Sequence, residues 1–142
     1  NPDPYPESGI IRFRFGIAFV KEPGSFNLQE AGIKFLHAPV AISGLVREGS
    51  REPRTSLFGI SKGNVCVSAV KMAEENPNDM IVRVYEPTGC DHEIIMTFKK
   101  TPVRAFFTDI NETEESDDLP VSGNTVMFGV EASATRSIRI IF

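Results

Sequence analysis

The 142-residue sequence contains no tryptophan, and it has only two cysteines and two histidines. Cys66 and Cys90 are too few for a disulfide framework or a cysteine-rich zinc site, so we expect two free thiols in a reducing compartment. Neither His37 nor His92 lies in a motif that supplies a nucleophile or further metal ligands. We therefore predict that the chain has no catalytic, cofactor-binding or metal site of its own, and that residues outside it complete any chemistry it serves.

Long apolar runs and concentrated positive charge are also missing. No apolar stretch approaches the roughly 18 to 20 residues that span a bilayer, and no basic segment followed by an apolar one opens the chain. The net charge is −4, and the fifteen lysines and arginines are scattered along the sequence. This pattern argues against nucleic acid as a partner, because nucleic-acid binding needs a basic patch or stripe. We predict a cytoplasmic protein that binds neither membranes nor nucleic acid.

The acidic segment near residue 110 is similar to a calcium loop only in its first half. Oxygen-bearing residues occupy alternate positions from Asp109 to Glu115. The sixth position is Glu114, where a calcium loop needs glycine, and the twelfth is Pro120, where it needs a bidentate glutamate. A solvated acidic loop is therefore the better interpretation.

Alternating apolar and polar residues recur between turn signals, which predicts an all-β fold of antiparallel strands. In the second half of the chain, five or six short strands without a long amphipathic helix favour a β-sandwich. Residues 26–36 fit neither period, so we expect a short helical turn or an irregular crossing there. The last apolar residues must be buried or paired, which suggests that the parent chain ends here. The predicted strands are 11–20, 38–46, 65–72, 80–85, 93–99, 103–107, 125–131 and 136–142, with Val103, Ala105 and Phe107 facing inward in the sixth.

The pattern divides the chain into two parts. Residues 1–60 are predicted to be a linker and edge strands of a preceding β-sandwich, and residues 61–142 a complete C-terminal sandwich. The proline-rich start at Asn1 is typical of a linker, which predicts that the chain is a piece of a longer protein. Unpaired edges and exposed phenylalanines in the first part would promote self-association.

One corner combines a strand end, two opposite charges and a turn. Arg83 and Tyr85 share one face of a predicted strand, and Glu86 leaves the strand just before a turn that ends at Gly89. A carboxylate in that position accepts backbone N–H bonds or pairs with an arginine of the last strand. We interpret this corner as structural.

Residues 83–89, with 64–71 before them and 105–112 after them, resemble the C-terminal β-sandwich of the α-mannosidases of glycoside hydrolase family 38. In that family a strand ending in an Arg-Leu-Tyr-Glu-Pro-like turn is followed by an Ala…Asp-Leu-x-Glu-like segment, which Asp109 and Glu112 match here. Residues 13–19 resemble the edge of the preceding large sandwich.

The resemblance implies a non-catalytic fragment of an α-mannosidase-like retaining glycosidase, which braces the catalytic domain. The implied partners are the catalytic and large β domains of the parent chain and, for the whole enzyme, mannose-containing glycans. Zinc and the nucleophilic aspartate would belong to an N-terminal domain that has no counterpart here, so no catalytic residue is carried over. The structural motif is expected at Arg83, Tyr85, Glu86, Gly89, Asp109 and Glu112.

A different class of function remains open, namely an independent carbohydrate-binding or adhesion module of sandwich fold. Such binders usually present aromatic platforms, and the sequence offers only Tyr5 and Tyr85 besides phenylalanine. The composition therefore disfavours this alternative.

Overall fold

The computed structural model describes residues 10–13, 15–17, 19, 21, 26–37, 39–44, 48–50, 52, 54–115 and 117–142. These residues form one helix and eight strands. The elements are α1 (Phe26–Leu36), β1 (Phe58–Lys62), β2 (Cys66–Met72), β3 (Met80–Tyr85), β4 (His92–Phe98), β5 (Arg104–Thr108), β6 (Val121–Ser122), β7 (Thr125–Val130) and β8 (Thr135–Ile141).

The strands form two four-stranded sheets. One has the order β1-β4-β7-β6 and the other β2-β3-β8-β5, and all neighbouring strands are antiparallel. The chain passes from one sheet to the other five times, between β1 and β2, β3 and β4, β4 and β5, β5 and β6, and β7 and β8. The predicted fold class, an all-β antiparallel sandwich, is confirmed.

The core lies between the two sheets and is built from alternate residues of the strands. Phe98 of β4 packs between Phe58 and Phe142, with ring centroids 5.6 and 5.7 Å away. Each fully buried side chain of this kind stabilises the fold by about 1.5 to 3 kcal/mol. The largest fully buried side chains are Phe98, Ile94, Met96, Ile138, Ile140, Val82, Val84, Val126 and Val130.

Alternate residues of β3, β4 and β8 face the core, but one of the inward positions predicted for the sixth strand is wrong. Ala105 is fully buried and Phe107 packs against the core, whereas Val103 is 77% exposed. Val103 follows Pro102 in a bend before the strand begins at Arg104. The bend breaks the two-residue alternation, so the side chain turns outward.

The strands predicted at 11–20 and 38–46 are wrong for the residues that the structure describes there, which form neither helix nor strand. Residues 26–36 instead form the whole of α1. The structure also contains β1, which the sequence pattern did not predict and which pairs with β4. β1 straddles the predicted domain boundary near residue 60. No described helix has the length and apolar character needed to cross a membrane.

Candidate functional site

Glu86 directly follows β3, and its side chain is buried. Its backbone N–H donates to the carbonyl of Ala134 at 2.9 Å, which joins the end of β3 to the β7–β8 connection. Its carboxylate is completely hidden from solvent. A buried charge needs compensating partners, because desolvation strongly disfavours the ionised form.

Backbone N–H groups from two loops supply that compensation. Oε1 accepts from the N–H of Thr88 at 2.6 Å and from the Thr88 hydroxyl. Oε2 accepts from the N–H groups of Gly89, Cys90 and Ser133 at 2.7, 3.3 and 3.0 Å. Gly89 has a φ of 75°, a left-handed conformation that costs glycine little and helps successive N–H groups converge on one anion. The carboxylate thus fixes the β3–β4 turn to the β7–β8 turn.

These hydrogen bonds decide the ionisation of Glu86. Burial is the largest single influence and by itself would raise the pKa of the carboxyl. The Thr88 hydroxyl and three backbone N–H groups together outweigh burial and lower the pKa from 4.5 to about 2. Glu86 is therefore ionised at neutral pH although no arginine in the described part of the chain pairs with it.

The arginines of the last strand pair elsewhere. Arg136 donates to Glu131 at 2.5 and 3.1 Å. Arg139 donates to Asp79 at 2.8 and 3.0 Å and contacts Glu75 at 3.4 Å. Of the two kinds of partner expected for Glu86, the structure shows the backbone N–H groups.

Glu112 forms a second buried carboxylate that joins distant segments. It lies in the loop after β5 with a φ of 66°, and its side chain is 8% exposed. Its oxygens accept from the Lys71 ammonium at 2.6 Å and from the Glu74 N–H at 2.9 Å. The Lys71 hydrogen bond, followed by that of Glu74, lowers the pKa of Glu112. The loop is thereby fixed to the β2–β3 hairpin.

The other motif residues have local roles. Arg83 donates from Nε to the Ser137 hydroxyl of the neighbouring strand at 2.9 Å. Tyr85 is half-buried and lies opposite Cys66 in the β2–β3 register. Asp109 accepts from the N–H of Thr113 at 2.8 Å, which closes the turn that presents Glu112.

The segment that holds these residues matches a known family. Residues 64–138, more than half of the chain, match the glycosyl hydrolases family 38 C-terminal beta sandwich domain. The chain belongs to this family. The resemblance inferred from residues 83–89 is thus confirmed. Comparison with the curated proteins and with the solved structures found no match.

In the described part of this family 38 sandwich, potential metal ligands do not cluster. No group of three or more His, Cys, Asp or Glu side chains within it is arranged to hold an ion. In the acidic segment, Asp109 is engaged in its own turn and Glu114 pairs with Arg104 at 2.5 Å. His92 lies 3.5 Å from Glu86 and 3.2 Å from the Thr88 hydroxyl.

The sequence analysis missed two residues whose polar contacts connect distant segments of the family 38 sandwich. Ser133, which donates to Glu86, is 47 residues away in sequence, and nothing in its surroundings marks it. Asp79 is 4% exposed and forms a buried pair with Arg139, which is 12% exposed. Asp79 follows Asn-Pro-Asn and directly precedes β3, so the sequence marks it as a turn residue. The sequence does not indicate that its partner is Arg139.

Proposed function

We propose that this family 38 sandwich is a non-catalytic domain of an α-mannosidase-like retaining glycoside hydrolase, and that it braces the catalytic domain. The observation that carries the proposal is the Glu86 carboxylate, which is wholly buried and saturated by hydrogen bonds from the two loops it joins. A group in that state cannot reach a substrate. It can hold a surface of fixed shape against a neighbouring domain.

The other buried charges support the same role. Glu112 fixes the loop after β5 to the β2–β3 hairpin, and Asp79 fixes the turn of that hairpin to Arg139 of β8. A general acid or nucleophile of a glycosidase needs an accessible carboxylate at a set distance from a second one. These carboxylates instead link one segment of the chain to another.

The remaining parts of the enzyme would lie outside this chain. The proposed partners are the catalytic and large β domains of the same polypeptide, and the zinc and mannose-containing glycans would bind in the catalytic domain. The free thiols Cys66 and Cys90 are compatible with a reducing, cytoplasmic location.

The first test uses the chain alone. Purified protein is assayed with an aryl α-mannoside, and its zinc content is measured. We expect no turnover and no stoichiometric zinc. Metal-dependent hydrolysis by this chain would overturn the proposal.

The second test places Glu86→Gln in the full-length enzyme, with Glu131→Gln as the control, because Glu131 is an exposed carboxylate of the same region. Kinetics are measured at a temperature where both variants remain folded. We expect kcat to fall no further than the folded fraction. A large loss of kcat with unchanged melting would mean that the corner contributes to the active site.

A further inference from the structure

A cavity of about 340 Å³, lined by Ile110 and six polar residues, opens on the outer face of the β2-β3-β8-β5 sheet. The strand register places Ser137 of β8 opposite both Arg83 of β3 and Thr108 of β5, so these three residues form one row across the sheet. The loop after β5 forms the other wall. The polar residues that line the cavity are Arg83, Thr108, Asp109, Glu115, Thr135 and Ser137.

Arg83 differs from the other arginines of the sandwich. Arg104, Arg136 and Arg139 each donate to carboxylates. Arg83 donates only from Nε to Ser137, and its terminal nitrogens have no partner among the described residues. A half-buried guanidinium therefore presents free donors in a cavity wall.

Two acceptor groups of the same cavity are also unused. Glu115 makes no side-chain hydrogen bond or ion pair with a described residue, and it does not pair with Arg83 across the cavity. The Thr108 hydroxyl is buried, in a residue that is 4% exposed, and it has no hydrogen-bond partner in the described part of the chain. Buried polar groups without a partner are rare and are usually satisfied by water or a ligand.

We propose that this cavity binds a neutral polyhydroxylated ligand, such as the terminal monosaccharide of a glycan. A sugar hydroxyl can donate to Glu115 or Asp109 and accept from Arg83, so the hydroxyls of one sugar match both the acceptors and the donor of the cavity. An anion is disfavoured, because two carboxylates and one guanidinium line the cavity. This site goes beyond the bracing role and does not depend on it, since the residues come from this chain alone.

The test is an amide chemical-shift titration of the full chain with free D-mannose, D-glucose and D-galactose, and separately with glycine and inorganic phosphate. We expect at least one sugar to bind saturably with a dissociation constant on the order of a millimolar, the range for so small a ligand. The shifted amides should cluster at residues 83, 108–110, 115, 135 and 137. Glycine and phosphate should produce no saturable change at these amides.

Two variants test whether the sugar binds in this cavity. Glu115→Gln and Arg83→Gln should each weaken sugar binding by about tenfold or more, the effect of losing a hydrogen bond to a charged group. Glu115 is exposed, so its variant should keep the melting temperature of the unaltered protein even if the Arg83 variant unfolds. The matched controls are Glu114→Gln and Arg136→Gln, whose side chains pair with other residues and do not line the cavity. We expect the controls to retain the original affinity.

Three results would overturn the proposal. One is the absence of saturable shifts with every sugar. Another is saturable binding of glycine or phosphate in place of sugars. The last is sugar binding that Glu115→Gln leaves unchanged. None of these results bears on whether the sandwich braces a catalytic domain, which is tested by kinetics of the full-length enzyme.

Discussion

Glu86 and Glu131 are carboxylates of the same corner, yet their surroundings give them different energetic roles. The Glu131 side chain is 61% exposed and pairs with Arg136, a kind of contact that contributes little in water. Glu86 is buried and depends on N–H groups that the two loops hold in place. Removing the charge of Glu86 leaves these donors facing a poorer acceptor, so the hydrogen bonds of both loops are weakened.

We expect Glu86→Gln to lower the melting temperature by roughly 5 to 10 °C at neutral pH, a typical range for disrupting a buried hydrogen-bond network in a small domain. The neutral amide has one acceptor oxygen and directs its NH₂ group at N–H donors. Thermal unfolding followed by circular dichroism measures the change. Glu131→Gln serves as the control and should melt within about 2 °C of the unaltered protein, as expected for an exposed pair. Equal melting of the two variants would contradict this account.

The unaltered protein and Glu86→Gln also test how the stability contributed by Glu86 depends on pH. The pKa of Glu86 in the folded protein, about 2, lies below its ordinary value of 4.5. Its charge therefore stabilises the fold above pH 4.5, and this stabilisation is lost as the pH falls from 4.5 to 2. The gap in melting temperature between the unaltered protein and Glu86→Gln should narrow over that interval. A gap that stays constant down to pH 2 would show that the carboxylate charge is not responsible.

Arg139 offers a direct comparison between a buried and an exposed partner. It contacts both Asp79, whose side chain is 4% exposed, and Glu75, whose side chain is 83% exposed. Asp79→Ala leaves a buried cation without its main partner, and we expect a loss of about 3 kcal/mol or more in the free energy of unfolding. Glu75→Ala should cost no more than about 0.5 kcal/mol.

Chemical denaturation of both variants measures these losses. The double variant Asp79→Ala/Arg139→Met should recover part of the stability, because it removes the unpaired charge as well. A double variant less stable than Asp79→Ala alone would contradict the explanation by an unpaired charge.

Among the strands and turns, the crossing from β1 to β2 requires glycine at the residue that follows β1. Gly63 has a φ of 86°, and a Cβ at this position would lie 2.8 Å from the Glu93 carbonyl oxygen and would also clash with the Ile94 side chain. Both the left-handed backbone and the close approach to β4 therefore require glycine. This contact fixes the crossing against β4, the strand with which β1 pairs.

We expect Gly63→Ala to destabilise the protein by about 2 kcal/mol or more, since strain from the left-handed backbone adds to a clash with a main-chain atom. Gly59→Ala is the control, because a Cβ at Gly59 in β1 meets nothing within 4 Å. The control should change the free energy of unfolding by less than about 1 kcal/mol. Urea denaturation compares the two. A tolerated Gly63→Ala would mean that the crossing is free to shift.

For the molecule as a whole, the contrast lies between the packed sandwich and the exposed apolar residues before it. Phe13, Phe15 and Phe19 are 73%, 85% and 98% exposed. Phe13 and Phe15 stack on each other, with ring centroids 6.3 Å apart. Apolar residues exposed in such a run commonly mark a surface that another protein or another part of the same polypeptide covers. In the chain alone, they would favour self-association.

We expect sedimentation velocity to show association that increases with protein concentration, and we expect the triple variant Phe13→Ser/Phe15→Ser/Phe19→Ser to remain largely monomeric. The control is Val103→Ser/Ile110→Ser, which alters two apolar residues of the sandwich that are similarly exposed. This control should associate like the unaltered protein. Association that persists in the triple variant but disappears in the control would place the contact on the sandwich.

The sequence by itself determined the sandwich and its core. Alternation placed Val82, Val84 and Ile138 inward, because a strand directs successive side chains to opposite faces whichever strands pair with it. The same local rule failed at residues 11–20, where alternation is present but the described residues join no sheet. A strand needs a neighbour to satisfy its backbone N–H and carbonyl groups, and alternation cannot supply one.

Only the tertiary structure decided which charged groups meet. Glu86 receives a hydrogen bond from Ser133, 47 residues later, and Asp79 pairs with Arg139 at a separation of 60 residues. The register of the β2-β3-β8-β5 sheet left Arg83 beside Ser137 and without a carboxylate partner among the described residues. These contacts depend on strand order, register and loop closure, which bring together segments whose local sequences carry no information about each other.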